Sequence, residues 1–424
     1  VESPERDLPE WNREEQMAPE LDERESALVE AGRRVAAVAG EIAADCEARR
    51  RPPREVWEAY RAEGLKGMLV PRAKGGHALS ASAMALISEA IGAFDPAAAL
   101  TFIPQEYCMA AIAAHASHPW HDEILRTLIA GERLSGFLLT EPQAGSDAAA
   151  ITTLATRTGG GWTLNGAKAW VSNAPHIDEH FVFAQTEAGS GARGIAGFLV
   201  PREAEGVEIG APYDLIGGHV ACIADVRFAD VALPAERMVV PPGEGLRAAL
   251  SAIDLARINV AAMCCGSLAT GLDVAVAYAQ SRSAFGRKLA EFQGRQWALA
   301  GIATELQAAR LLTLDAARTL DRAGKAALEA AHAKKFASRA ALRGLGQCMQ
   351  TPGANGLRHD RPLARLFAKI AECPDGTTEI QNVAIARALL RPARRGPYSQ
   401  AQPVERRSGS ARSASDIQRQ RAGK

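Results

Sequence analysis

Apolar residues in this chain recur with one period, then another, then the first again, and that order limits the fold more than any other feature. Leu28, Val35, Val38, Ile42 and Ala43 fall at helical spacing in a run that reaches Arg50, where Pro52 and Pro53 stop it. Further helical stretches are expected at 56–63, 81–93, 106–114 and 120–130. From 134 to about 242 the texture changes to short alternating segments: 134–139, 151–157, 162–171, 180–186, 195–200 and 224–228. Gly, Asn, Asp or Pro separate them, as strands joined by turns require. Long Ala- and Leu-rich helical stretches then return at 246–282, 292–323 and 325–349, with shorter pieces to 390.

Helices, strands, helices, with no βαβ alternation and no internal repeat, argue against a doubly wound nucleotide-binding sheet. The expected class is α+β and multidomain. Its parts are a polar segment 1–24, an N-terminal helical domain 25–133, a middle β domain 134–242 of sandwich or small-barrel size, a C-terminal helical bundle 243–390 and a basic tail 391–424. A chain of 424 residues is too long for one hydrophobic core, which agrees with several packed regions.

Charge narrows the function. Lys plus Arg and Asp plus Glu both number 49, so the basic excess of a nucleic-acid binder is missing. The tail alone is basic, with nine Lys or Arg against Glu405 and Asp416, and its Arg, Ser, Gln and Pro content predicts a solvated, disordered end. No run of about 18 uninterrupted apolar residues predicts a membrane span. The acidic start is unlike a secretory signal. Seven scattered cysteines without metal-ligand spacing suit a reducing compartment, so a cytoplasmic location with no metal is expected.

Gly189-Ser190-Gly191-Ala192-Arg193-Gly194 matches G-x-G-x-x-G, but the next residues, Ile195 to Val200, read as a strand. The dinucleotide motif needs a helix there, so a glycine-rich hairpin turn is expected. Four other segments carry candidate chemistry. Leu139-Thr140-Glu141-Pro142-Gln143-Ala144-Gly145-Ser146-Asp147 comes directly after the first strand and offers hydroxyls and backbone N–H groups suited to an anion, or forms a plain polar turn. Lys168-Ala169-Trp170-Val171-Ser172-Asn173 places an indole on an alternating strand, for a planar ligand or for the core. Tyr278 to Gly286 ends a long helix with Arg282, which either satisfies helix carbonyls or reaches a phosphate. Cys373-Pro374-Asp375-Gly376-Thr377-Thr378-Glu379 reads, taken alone, as a helix stop and a Thr cap.

Taken together, the order and spacing of these segments resemble the acyl-CoA dehydrogenase family of flavoproteins over about 25–390. The Thr-Glu-Pro-x-Ala-Gly-Ser-Asp and Arg-x-x-Phe-Gly…Gln runs are the most specific part of the likeness. The resemblance implies a helical domain, a middle β-barrel and a C-terminal four-helix bundle. FAD would lie between barrel and bundle and touch a neighbouring subunit of a homotetramer. It implies that Phe137, Leu139, Thr140 and Ser146 line the flavin, and that Trp170 and Ser172 flank its ring. Arg282, Phe285 and Gln293 would hold the adenosine diphosphate across the subunit boundary. Gln350 and Gly353 fall in a Gln-x-x-Gly-Gly-x-Gly segment whose second glycine is here Ala354, and Thr377 would sit near the flavin. Ser146, Arg257 and Gly376 would meet the acyl-CoA.

The family's chemistry is α,β-desaturation, in which a carboxylate takes the α-proton and hydride passes to flavin N5. Its base is most often a Glu before Gly-Thr; here that position is Asp375, shorter by about 1.5 Å, and some branched-chain and long-chain members carry the base where this chain has Ala256. Asp254 lies on another helical face. An Asp base also occurs among dehydrogenases of alicyclic acyl-CoA esters and in nitroalkane oxidases. The expected function is therefore acyl-CoA dehydrogenation, with a cyclic or branched acyl group as one option and electron-transfer flavoprotein as acceptor. The alternatives are a flavin oxidase of nitroalkane-oxidase type and a decayed member with a binding role. Cys264 and Cys265 are expected to be buried structural thiols.

Overall fold

The computed structural model describes residues 19–370, 372 and 374–390. The tail 391–424, most of the polar segment 1–24 and Cys373 lie outside the described residues. The described residues up to Ala386 form one compact unit, and those from Arg387 belong to a second.

Six helices come first: α1 (Glu23–Arg49), α2 (Arg54–Ala62), α3 (Ala81–Gly92), α4 (Pro96–Ala99), α5 (Ile103–His115) and α6 (Pro119–Ile129). Their starts are written in the sequence, because Asp22, Ser80 and Asp95 each accept a hydrogen bond from a first-turn N–H of α1, α3 and α4. The strands come next: β1 (Ser135–Leu138), β2 (Leu154–Thr158), β3 (Gly161–Val171), β4 (Glu179–Gln185), β5 (Ile195–Pro201), β6 (Val207–Ile209), β7 (Ala224–Pro234) and β8 (Met238–Val240). Helices α7 (Gly245–Ser251) and α8 (Ile253–Ser281) lead to a small hairpin, β9 (Ser283–Ala284) and β10 (Arg287–Lys288). Then come α9 (Gln293–Ala323), α10 (Ala327–Gln350), α11 (Pro362–Phe367) and α12 (Thr378–Leu389).

The expected closed barrel is corrected to an open sheet of order β6-β7-β3-β2-β4-β5-β8, with β6 and β8 unpaired to each other at the two edges. Those strands have three residues each and escaped the alternation test, which needs a longer window. Strand β4 is buried on both faces. Phe181 and Phe183 join the cluster beneath α5 and α6, while Val182 and Ala184 join the cluster on the other face. One edge of β4 is divided: β1 runs parallel along it from Ser135↔Glu179 to Leu138↔Val182, and β2 meets it only at Leu154↔Gln185. The chain must therefore leave the sheet after Leu138 and return before Leu154. The Thr-Glu-Pro loop fills that gap.

Residues 189–194 make the turn of the antiparallel β4–β5 hairpin, closed at Gln185↔Ile195, as the sequence predicts. Helices 96–115 and 245–281 contain stretches long and apolar enough to cross a membrane, but 72% of each hydropathy window is buried within the protein. They are core helices. Helix α8 is apolar on every side and is packed by α3, α9 and α10, so the first and last helical regions share one core.

The α3–α8 crossing depends on glycine. A Cβ on Gly266 would stand 2.0 Å from the Glu89 carbonyl oxygen, and one on Gly92 2.5 Å from the Met263 Cα. Gly266→Ala must push two helix backbones apart, an overpacking cost of about 1–3 kcal/mol. Its denaturant midpoint should fall accordingly, with the unfolding slope unchanged.

Candidate active site

The Thr-Glu-Pro loop is tied down by a buried ion pair. Glu141 Oε1 accepts from Lys168 Nζ at 2.6 Å and from the Thr153 N–H at 3.0 Å; Oε2 accepts from the Thr152 N–H and hydroxyl and from Gln143. Burial raises a carboxyl's pKa, but the Lys168 charge and these donors outweigh it and hold Glu141 down at about 2. Lys168 also moves down, to about 8, because burial there exceeds the help from its one carboxylate. Both partners thus shift the same way for different reasons, and the donor-rich carboxylate is the better anchored. Lys168 Nζ also donates to the Leu139 carbonyl at 3.0 Å, and the Ala169 N–H donates to the Thr140 carbonyl at 2.9 Å. The first two sequence segments are therefore one assembly.

Strand β3 breaks register against β7 between Lys168 and Val171, and Trp170 has φ +60°. This bulge turns the indole out of the sheet. Trp170 is 59% exposed and meets Tyr213 edge-on at 4.9 Å, so the core reading of Trp170 fails. Ser172 is half-buried beside it, and Leu139 and Thr140 are half-buried at the end of β1; Ser146 is exposed. Phe137 packs against Phe183 at 5.0 Å and points its edge relation at Tyr107 of α5, 6.5 Å away.

Asp375 stands on the turn before α12. It has φ +53° and Gly376 has φ +97°, two consecutive left-handed residues. Asp tolerates that region better than most side chains, and Gly tolerates it freely. Arg257 Nε of α8 donates to the Asp375 carbonyl at 3.3 Å. The buried Lys334 of α10 donates to the Gly376 carbonyl at 2.8 Å and to that of Glu372, and Gln381 donates to Gly376 at 2.9 Å. Among the described residues no hydrogen bond ends on the Asp375 carboxylate. Desolvation lifts its pKa above the ordinary aspartate value, against the smaller downward pull of Lys334 and Arg257. Asp254 is otherwise engaged, accepting from the Ala326 N–H at 3.1 Å at the start of α10 and lying 3.8 Å from Arg257.

Thr377 is half-buried and its hydroxyl accepts from the Ile380 N–H at 3.4 Å, so the capping reading of this segment also holds. Arg282, Phe285 and Gln293 form a separate, outward group on and after the β9–β10 hairpin. Phe285 is 96% exposed, and among the described residues none of the three shares a hydrogen bond with the Asp375 group. Gln350 and Gly353 are exposed at the end of α10; Gly353 has φ +59°. Ala354 sits exposed in the next turn, so the chain accepts alanine there. Gly356 is the constrained position, its Cβ site 2.2 Å from the Met349 carbonyl oxygen. Cys264 and Cys265 are buried, with burial pushing the Cys264 thiol up to about 12.

The family models agree with this arrangement. Those described as the N-terminal, middle and C-terminal domains of acyl-CoA dehydrogenase match residues 22–132, 136–231 and 243–390 in turn. The chain belongs to the acyl-CoA dehydrogenase family. Members of this family are FAD-binding oxidoreductases. A probable acyl-CoA dehydrogenase of Mycobacterium leprae is 32% identical over 353 residues, covering 82% of this chain and 90% of that one. The short-chain specific acyl-CoA dehydrogenase of mouse mitochondria is 38% identical over 263 residues. That alignment covers 62% of this chain and 64% of the mouse protein's length, just under two thirds. Among solved structures, butyryl-CoA dehydrogenase from Megasphaera elsdenii superposes with a TM-score of 0.83 at 29% identity, covering 88% of this chain and all of that one.

The residues present fit the family's flavin. An outward indole on a bulge, hydroxyls at Thr140 and Ser172, and the exposed Gly145 and Ser146 of the loop suit a planar ring with a polar chain. Arg282 and Phe285, both in solvent on one hairpin, suit a nucleotide's phosphate and base. Sequence reasoning missed Lys334 and the role of the Glu141–Lys168 pair. For Lys334 a signal existed: it shares a helix face with Ala330, Ala337 and Ala341, all buried, whereas Lys335 does not. For Glu141 and Lys168 no pattern joins residues 27 apart.

Proposed function

We propose that this chain is a FAD-dependent acyl-CoA dehydrogenase in which Asp375 removes the α-proton of an acyl thioester. One observation supports this most: a carboxylate without a hydrogen-bonded partner among the described residues, lifted in pKa by burial, on a turn braced by Arg257 and Lys334. A base needs those properties, since hydrogen bonds to its charged form would weaken it. FAD, bound along Phe137, Leu139, Thr140, Ser146, Trp170, Ser172 and Thr377, supplies the hydride acceptor. The chain's own work is to orient the thioester through Arg257, Gly376 and Ser146, to exclude water with Phe137 and Tyr107, and to receive the proton on Asp375. Arg282, Phe285, Gln293, Gln350 and Gly353 complete the nucleotide site across a homo-oligomer, for which a tetramer is the family's precedent. Electron-transfer flavoprotein is the proposed acceptor and the cytoplasm the proposed location. The domain limits proposed are those read from the sequence.

Pro374 and the left-handed turn at Asp375 and Gly376 give the loop a way to compensate for the shorter acid, and a cyclic or branched acyl group is the substrate this favours. The test is anaerobic mixing of the yellow holoprotein with straight, branched and cyclic acyl-CoA esters and, separately, with a nitroalkane. Bleaching by a thioester, with slow recovery in air, is the expected result. Bleaching by the nitroalkane alone would establish the oxidase reading. A protein without yellow colour that takes up no FAD on reconstitution would support the reading of a decayed member.

A further inference from the structure

Four titratable side chains that take no part in the chemistry above meet where the three regions of the chain touch. Lys369, two residues past the end of α11, has a side chain only 1% exposed. Its ammonium lies 2.6 Å from Asp95 Oδ2 and 3.3 Å from Glu47 Oε2. The other oxygen of Asp95 caps α4, accepting from the Ala97 N–H at 3.0 Å and the Ala98 N–H at 3.3 Å. Glu47, near the end of α1, is shared with the loop 210–223 between β6 and β7. His219 Nδ1 donates to its Oε1 at 2.7 Å, and the Gly218 N–H donates to its Oε2 at 3.2 Å. Burial raises the Glu47 pKa, but the Lys369 charge and the His219 hydrogen bond outweigh it and hold the carboxyl below its ordinary value.

This cluster joins two sides of the proposed site. Lys369 begins the short stretch of chain that leads to Asp375, and Lys334 holds the other end of that stretch at the Glu372 and Gly376 carbonyls. The loop that carries Gly218 and His219 also carries Tyr213, whose ring meets Trp170 edge-on at 4.9 Å and whose hydroxyl donates to Asp225 of β7. Loop and stretch approach closely. A Cβ on Gly217 would stand 2.8 Å from the Ala368 Cβ, and one on Gly218 3.3 Å from the Ala97 Cβ. Cys46, Ala97, Val220 and Ala221 pack nearby as an apolar cluster separate from the main cores. A buried ion pair gains little net stability over apolar packing of the same volume, because both charges give up water. What it does well is to permit one arrangement. Two carboxylates must reach one ammonium while each also holds a backbone N–H.

We propose that Glu47, Asp95, Lys369 and His219 are positioning residues, a latch that sets the Asp375 turn at a fixed distance from the Trp170 wall. The inference rests on the reading of Asp375 as the base and adds how its placement is kept. The four act through the loop and the chain leading to Asp375, not on the substrate.

The test uses two variants of the holoprotein. Glu47→Gln keeps the side chain's volume and leaves the Lys369 ammonium paired with Asp95. The double variant Lys369→Met, Asp95→Asn removes opposite charges together and keeps a residue that caps α4. Each is mixed anaerobically with the acyl-CoA ester of the panel above that bleaches the parent fastest. The limiting rate of flavin reduction should fall about tenfold in both, since a misplacement of about 1 Å caused far from the chemistry costs on the order of 100-fold and a partial one costs less. The thioester concentration giving half that rate should stay within about twofold of the parent's, the pattern of an interaction lost in the transition state alone. A merely structural role would lower the melting temperature and leave the limiting rate unchanged. A parent-like limiting rate in either variant overturns the latch while the dehydrogenase reading stands. If a nitroalkane bleaches the parent and no thioester does, the same comparison is made with the nitroalkane, because Asp375 is the base under either reading. If neither reduces the parent's flavin, the latch and the reading of Asp375 fall together.

Discussion

Asp375→Asn should yield a folded, flavin-containing protein whose flavin is bleached by acyl-CoA about 100- to 10,000-fold more slowly, the range a positioned general base contributes. Asparagine is the right replacement. It keeps the side chain's length and shape, and of the common residues it best accepts the left-handed φ of +53° found here, where alanine would be strained. Loss of rate can then be assigned to loss of the base rather than to collapse of the turn. Stability gives a second readout of opposite sense. Because burial raises the Asp375 pKa, the folded protein binds the proton more tightly than the unfolded chain does. Stability from this group is present below the ordinary carboxylate value and is lost as pH rises through the folded value. At neutral pH the ionised carboxylate is a cost, and Asp375→Asn should melt at the same temperature or higher. The same shift sets the acid limb of activity: kcat/KM rises with pH only above the ordinary aspartate range, as the base ionises. Asp375→Glu adds the missing methylene. Should it match or exceed the parent on straight-chain acyl-CoA, the loop has not been reshaped around the shorter acid.

Much of this arrangement is legible in the amino-acid order alone, and the parts that are not share a physical cause. Helix and strand regions come from local periodicity, which each segment carries within itself. The hairpin at 189–194 is likewise local, because the short apolar run after Gly194 forms a strand buried on both faces rather than a helix. The open sheet is different. Whether β6 and β8 close a barrel depends on the accumulated tilt of seven strands, a sum that no short window contains. The site shows the same division. Asp375, Trp170 and Arg282 sit in compact segments that the family resemblance singles out, although each segment read alone also fits a plain structural role. The residues that condition them come from far away: Lys334 beneath the Asp375 turn and Lys168 beneath Glu141. Trp170 shows both at once, since its identity is visible in the sequence while the bulge that exposes it arises from the register of β3 against β7.

Glu141→Gln tests whether the loop proposed to hold the flavin is anchored by the pair beneath it. The carboxylate collects five donors from four residues, and Lys168 reaches both it and the Leu139 carbonyl. Glutamine keeps the volume but replaces one acceptor oxygen with an amide that faces donors, and it leaves the Lys168 ammonium buried without a counter-charge. Removing one partner of a buried ion pair costs about 3–5 kcal/mol, whereas replacing both with neutral groups of similar shape costs much less. The single variant should therefore unfold at clearly lower denaturant and release FAD more readily, since Leu139 and Thr140 lose their support. The double variant Glu141→Gln, Lys168→Met should regain part of the stability. The sign with pH is fixed by Glu141 lying at about 2 when folded against an ordinary value of 4.5. Its contribution is complete above the ordinary value and is lost as pH falls from there towards about 2. The stability gap between parent and Glu141→Gln must shrink across that acid interval. A gap that stays constant from neutral to acid would mean the ionised pair is not what anchors the loop, and a double variant no better than the single one would point to the backbone donors of Thr152 and Thr153 instead.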